Sequence, residues 1–128
     1  MIVIDTSALV ASMIGEPSRE RIADAIARAD GCVISAVSFV EATMVLSRTL
    51  SDPKSDLNAY LQQAAISISP LDADQAKLAQ DAFLKYGKGR HSARLNFGDC
   101  FSYAAAKALN APLLYIGNDF DKTDIKVA

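Results

Sequence analysis

The chain has 128 residues and a mass of 13.6 kDa, one domain's worth, and a second independent core does not fit. Hydrophobic residues make up 51% and charged residues 22%, which excludes wholesale disorder, and no apolar run approaches the about 18 residues that span a bilayer. A net charge of −2 argues against coating nucleic acid by bulk positive charge, but leaves room for a nucleic-acid enzyme with a local acidic site.

Met1 to Ile4 is a short β-branched run and reads as a buried strand. No basic segment precedes it and Asp5 interrupts it, which argues against a secretory signal. Asp5, Thr6 and Ser7 are three N-cap candidates for a helix over Ala8 to Ile14, with Gly15 as its stop. Glu16-Pro17 opens a second helix with Ile22, Ala25, Ile26 and Ala29 on one face, ended by Gly31. Cys32 to Ser35 is the second strand. A helix with Phe39, Val40, Thr43, Met44 and Leu46 follows and runs to about Leu50. Asp52-Pro53 starts another, whose Leu57, Tyr60, Leu61, Ala64 and Ala65 fall on one face.

Ile66 to Leu71 is a short strand that meets Pro70. Asp72 caps a helix with Ala76, Ala79, Phe83 and Tyr86 on one stripe, and Gly87 stops it. Lys88 to Leu95 is basic and irregular. From Asn96 a helix turns Cys100, Phe101, Ala104, Ala105, Ala108 and Leu109 inward, and Asn110 and Pro112 end it. Leu113 to Ile116 is a fourth strand, Gly117-Asn118-Asp119 is turn chemistry, and Ile125 to Val127 adds a last edge strand. Strands alternating with helices of this length imply right-handed βαβ crossovers and a mainly parallel sheet covered on both faces. Cys32 and Cys100 are far apart and lack metal-ligand spacing, so neither a disulfide framework nor a zinc site is expected, and a reducing, cytoplasmic setting fits.

In such a sheet strands end and helices begin at one edge, where sites form. Asp5 ends the first strand. Glu41 is placed in the first turn of the helix after the second strand. Asp99 lies in the first turn of the helix leading to the fourth strand, and Asp119 in the loop beyond that strand. Each has an ordinary structural reading. Asp5 caps a helix, Ser38-x-x-Glu41 and Asn96-x-x-Asp99 match capping boxes, and Asp119 sits in a turn. Capping alone does not require four acids on one edge. Four close carboxylates repel one another, and a divalent cation relieves the repulsion. Oxygen-only ligands point to Mg²⁺ or Mn²⁺ rather than zinc. Setting the four acids aside turns the formal charge from −2 to +2. Lys85, Lys88, Arg90, His91 and Arg94 precede Asn96, and they read either as a phosphate-tracking rim or as an ordinary solvated loop. The Thr6 and Ser7 hydroxyls and Asn118 are placed either to bind a metal water or phosphate or only to cap. His91 has no nucleophile paired with it, so no triad is expected, and Cys100 reads as a small core residue.

Four segments carry a resemblance that covers essentially the whole chain. They are Val3-Ile4-Asp5-Thr6-Ser7-Ala8-Leu9, Ser38-Phe39-Val40-Glu41-Ala42, Leu95-Asn96-Phe97-Gly98-Asp99-Cys100-Phe101, and Leu114-Tyr115-Ile116-Gly117-Asn118-Asp119-Phe120 trailed by Thr123-Asp124. In that order they resemble the PIN-domain ribonucleases, and within them the VapC-type toxins of type II toxin–antitoxin pairs. The resemblance implies a single PIN-like nuclease domain over residues 1–128. Its fold would be a three-layer α/β/α sandwich with a mainly parallel, four- to five-stranded sheet. It also implies a Mg²⁺- or Mn²⁺-dependent endoribonuclease that hydrolyses RNA phosphodiesters by metal-activated water. Asp5, Glu41, Asp99 and Asp119 match the acidic quartet, with Asp5 and Asp99 as direct ligands, and Ser7 matches a supporting hydroxyl. Lys88, Arg90 and Arg94 would contact the RNA backbone. A homodimer, a cognate antitoxin covering the pocket, and a larger toxin–antitoxin assembly are implied as well, with no membrane association. Two rivals are a non-catalytic nucleic-acid- or protein-binding module on the same fold and a phosphoryl-transfer enzyme with a covalent aspartyl intermediate. The second expects an acid two residues after its nucleophile, where this chain has Ser7.

Overall fold

A computed structural model describes all 128 residues. Its elements in chain order are β1 (Ile2–Ile4), α1 (Thr6–Met13), α2 (Arg19–Arg28), β2 (Cys32–Ser35), α3 (Ala36–Leu46), α4 (Pro53–Gln63), β3 (Ile66–Ser69), α5 (Ala73–Tyr86), α6 (Phe97–Ala108) and β4 (Leu113–Leu114). The four strands form one sheet in the order β3-β2-β1-β4, and every pair is parallel. Alternation along the strands divides the core in two. Val3 and Leu113 point to the α5–α6 side, whereas Ile2, Ile4, Ile34 and Leu114 point to the side covered by α1 to α4. Burying each of Ile4, Leu9, Ile34, Leu46 and Leu57, all at 0–1% exposure, stabilises the fold by about 1.5–3 kcal/mol. The result is the expected α/β/α sandwich. No helix is long and apolar enough to cross a membrane.

Several local expectations are corrected. The fifth strand reduces to a single bridge between Leu113 and Val127, because turns occupy the chain between β4 and Ile125 and bring the backbone alongside too late to extend the ladder. The second helix starts at Arg19, not at Pro17. Glu16 N–H is tied to the Ala11 carbonyl at 3.0 Å and Arg19 N–H to the Glu16 carbonyl at 2.9 Å, so Pro17 and Ser18 form a turn. The third begins at Ala36 and ends at Leu46 rather than near Leu50. The β2–β3 ladder ends at Ser35, whose hydroxyl accepts the Val37 N–H at 3.2 Å, so the helix cap falls at Ser35, three residues before Ser38.

On α5 the core side is Gln75, Ala79, Ala82 and Tyr86. Ala76 and Phe83 are exposed, so half of the expected stripe lies one residue, about 100°, round the helix from the core. On α6 Ala108 and Leu109 are exposed, while Ser102, Tyr103 and Ala106 are buried, because the helix packs against α5, α3 and the sheet only until it passes the sheet's end.

Candidate functional site

The strands deliver their C-terminal ends to one edge, and the polar residues collect there. Asp5 follows β1 directly and caps α1. It is only 3% exposed, and both of its oxygens are engaged. Oδ2 accepts the Ser7 N–H at 3.0 Å and the Ser7 hydroxyl at 2.6 Å. Oδ1 accepts the Ser102 hydroxyl at 2.5 Å. Ser7 Oγ in turn accepts the Ile116 N–H at 3.0 Å, which joins the exit of β1 to the exit of β4. Asp99 completes a capping box with Asn96: each side chain accepts the other's backbone N–H, at 3.0 and 2.9 Å. The structural reading of these two acids is therefore correct, and it coexists with their place at the site.

Glu41 departs from expectation. With the helix starting at Ala36, Glu41 lies in its second turn, and the Ser38–Glu41 capping box does not form. The Glu41 carboxylate instead accepts the Thr6 hydroxyl at 2.6 Å. It lies against Gly98 in the first turn of α6, where a Cβ would collide with it. Asp119 is exposed on the loop beyond β4.

All four acids line one concavity of about 370 Å³, together with Ser7 and Asn96. Glu16, on the turn after α1, is a fifth carboxylate on its wall that sequence reasoning missed. No basic side chain lines it. Burial pushes the Asp99 carboxyl up to about 7, and the like charges of Asp5, Asp119 and Glu41 push the same way against the opposing Asn96 N–H. No three of these carboxylates lie close enough together to form a ready-made cation cage. The donor set nevertheless fits a hard divalent ion. It is all oxygen, with no imidazole or thiolate facing the cavity. Mg²⁺ typically takes one or two carboxylates and keeps several waters, so a protein cage is not required. Burial first, and then the like charges of Asp5, Asp119 and Glu41, disfavour ionised Asp99, and a divalent ion would offset that charge.

A second concavity of about 390 Å³ adjoins the first, sharing Asn96 and Asp119, and is lined by Lys88, Arg94 and Lys122. Lys122 lies outside the basic run of the sequence and arrives by way of the loop after β4. Arg90 stands apart from Lys88 and Arg94: its Nε donates to the Leu84 carbonyl at 3.1 Å, at the end of α5, and it lines neither concavity. His91 accepts the Ala93 N–H at 2.9 Å through Nδ1 and stands edge-on to Tyr86, so it fastens its own loop. Cys100 is buried, and burial followed by the charge of Asp99 raises its thiol to about 11, which suits a core residue and not a nucleophile. A larger groove of about 610 Å³ between α5 and α6 is apolar, with Ala76, Phe83 and Phe101 on its walls.

The chain matches the PIN domain family over residues 2–126. It belongs to the PIN-domain family, the class that this parallel sheet with acids at its carboxyl edge defines. Within the family it stands with the VapC ribonucleases. It is 44% identical over 124 residues to ribonuclease VapC30 of Mycobacterium tuberculosis, covering 96% of this chain and 95% of that protein. Among solved structures, VapC20 of Mycobacterium tuberculosis, described as a Sarcin-Ricin loop cleaving toxin, superposes with a TM-score of 0.78 at 16% identity, covering 100% of this chain and 98% of that one. A toxin–antitoxin complex from Klebsiella pneumoniae gives 0.75 at 16% identity, covering 100% and 97%. At these identities the structural likeness speaks to the fold alone.

Proposed function

We propose that this chain is a divalent-cation-dependent endoribonuclease and the toxin of a toxin–antitoxin pair. The observation that carries the reading is one oxygen-lined concavity, built by acids from four remote segments, beside a basic one that shares two of its residues. Asp5 and Asp99 hold Mg²⁺ or Mn²⁺, with Glu41 and Asp119 acting directly or through waters. When bound, the ion supplies Lewis-acid polarisation of the phosphoryl group and neutralises developing charge. Ser7 fixes Asp5 through its hydroxyl, and Thr6 fixes Glu41. Lys88, Arg94 and Lys122 hold the RNA backbone next to the acids, where a scissile phosphodiester would lie. The 44% identity to a protein named as a ribonuclease supports the activity, and the resemblance of the four segments to VapC-type toxins implies an antitoxin as partner. Exposed Val40, Met44 and Phe97 support self-association into a homodimer, alone or within a larger assembly with the antitoxin.

Cleavage of structured RNAs with Mg²⁺ and with chelator, by wild type and Asp5→Ala, tests the reading. Chelation and Asp5→Ala are each expected to lower the rate about 100-fold or more, since an ion's electrostatic stabilisation amounts to several kcal/mol. Equal cleavage in all conditions would overturn metal dependence. RNA binding without turnover would favour a binding module.

A further inference from the structure

Ser102 stands one turn beyond Asp99 on α6 and is fully buried. So is Ser38, on α3. Neither hydroxyl belongs to the acidic quartet. A buried hydroxyl without a hydrogen bond is costly, and these two find partners in a short relay. Ser38 Oγ lies 3.0 Å from Ser102 Oγ, and Ser102 Oγ lies 2.5 Å from Asp5 Oδ1. An ionised carboxylate only accepts, so the single Ser102 hydrogen points at Asp5. The Ser102 oxygen is then the acceptor for Ser38. The direction of both bonds is thereby set, and the relay runs from α3 through α6 to the end of β1.

This matters because Asp5 is held from two sides. Ser7 fixes Oδ2 from within its own turn, and Ser102 fixes Oδ1 from a segment 97 positions away. With Ser7 alone the carboxyl would be held through one oxygen only, and Oδ1 would be left without a partner. With both anchors it cannot turn without breaking a buried bond. We infer that Ser102, backed by Ser38, is a positioning residue that presents Asp5 to the divalent cation. The inference rests on the metal-dependent reading above and adds the residues that pre-organise its first ligand. Partners of this kind orient ligating side chains, and their loss commonly weakens metal binding about 10- to 100-fold.

The test is Mn²⁺ titration of the full-length protein, read as free Mn²⁺ by electron paramagnetic resonance, with thermal unfolding of every variant followed in parallel. Ser102→Ala is expected to bind Mn²⁺ about tenfold more weakly. Its RNA cleavage should regain the wild-type plateau when Mn²⁺ is raised by a similar factor, because the ligand is misoriented rather than lost. Ser38→Ala is expected to lose less, since Ser102 still donates to Asp5. If Ser102→Ala does not fold, the decision passes to Ser38→Ala, where an unchanged affinity would overturn the relay. In an Asp5→Asn background, Ser102→Ala should change Mn²⁺ affinity no further, whereas additive losses would mean that the two residues act independently and would sink the inference. Unaltered Mn²⁺ affinity in a folded Ser102→Ala, with only a lower melting temperature, would make the hydroxyl purely structural. If the wild type itself binds no Mn²⁺, the metal-dependent reading fails, and the inference fails with it.

Discussion

The two ends of α6 treat a carboxylate in opposite ways. At the C-terminal end, Asp124 accepts Lys107 at 2.7 Å and the Tyr103 hydroxyl at 2.6 Å. Burial alone would raise its carboxyl, yet these two partners outweigh burial and hold it below the usual range. At the N-terminal end, Asp99 has a backbone N–H and the positive pole of the helix in its favour. It is raised all the same, because burial and three further acids act on it and no cation faces it. The helix therefore carries an ordinary ion pair at one end and an unneutralised acid cluster at the other. Ion pairing is available to this chain, yet no basic side chain lines the concavity that gathers the acids.

The sharpest way to break the contrast is Asp99→Asn. If the cluster serves metal-dependent cleavage, RNA hydrolysis should fall about 100-fold or more while the fold persists, because Asn keeps the cap's shape. A rate near wild type would remove Asp99 from the site. The next effect is on stability against pH. The folded pKa of Asp99 lies above its unfolded value near 3.8, so the native state binds the extra proton between there and about 7. Stability of the metal-free protein should therefore fall as pH rises through that window. The melting temperature measured with chelator should be higher at pH 5.5 than at pH 7.5, and Asp99→Asn should flatten this difference. Mg²⁺ should stabilise most at the higher pH, where the carboxyl is free to bind it.

A smaller effect is expected at the rim. Lys88→Ala or Arg94→Ala should weaken RNA binding, and on a single strand the salt slope should shrink by about 0.7 for each phosphate left without its cation. Arg90→Ala should leave that slope unchanged, since its guanidinium is turned to the end of α5. The smallest effect belongs to the paired end. Lys107→Ala should cost no more than about 1 kcal/mol, because the pair is partly exposed to water. With Asp124 held below its unfolded pKa, the pair's contribution is present above that value and is lost as pH falls, opposite in sign to Asp99.

How much of this is legible in the residues alone follows from which interactions decide each feature. Asp5, Asp99 and Asp119 stand next to strand ends or helix starts, so periodicity and capping patterns already assign them to one edge. Glu41 reaches the same edge, but not through the capping box its spacing suggests. Ser35 and Ser38 both precede helical sequence, and the point where β2 leaves its ladder with β3 selects Ser35. The rotation of α5 is hidden in the sequence because both Phe83 and Ala82 are apolar, and only packing against α6 distinguishes them. Ser102 and Lys122 carry no local signal. One is a serine between Phe101 and Tyr103 and the other a lysine in a polar tail, and each acquires its meaning only from distant chain packed near it, α6 against β1 for Ser102 and the loop beyond β4 for Lys122.

That last pairing has a consequence for when activity can arise. One edge strand of the sheet, β4, is the last of the four in the sequence, and it docks on the first. The clasp from Ile116 to Ser7 and the side chain of Asp119 do not exist until the ribosome has passed them. A nascent chain therefore carries no finished pocket until the segment through Asp119 has been made. The acidic edge is complete only once the segment from Ile116 to Asp119 has closed on the strand that carries Asp5.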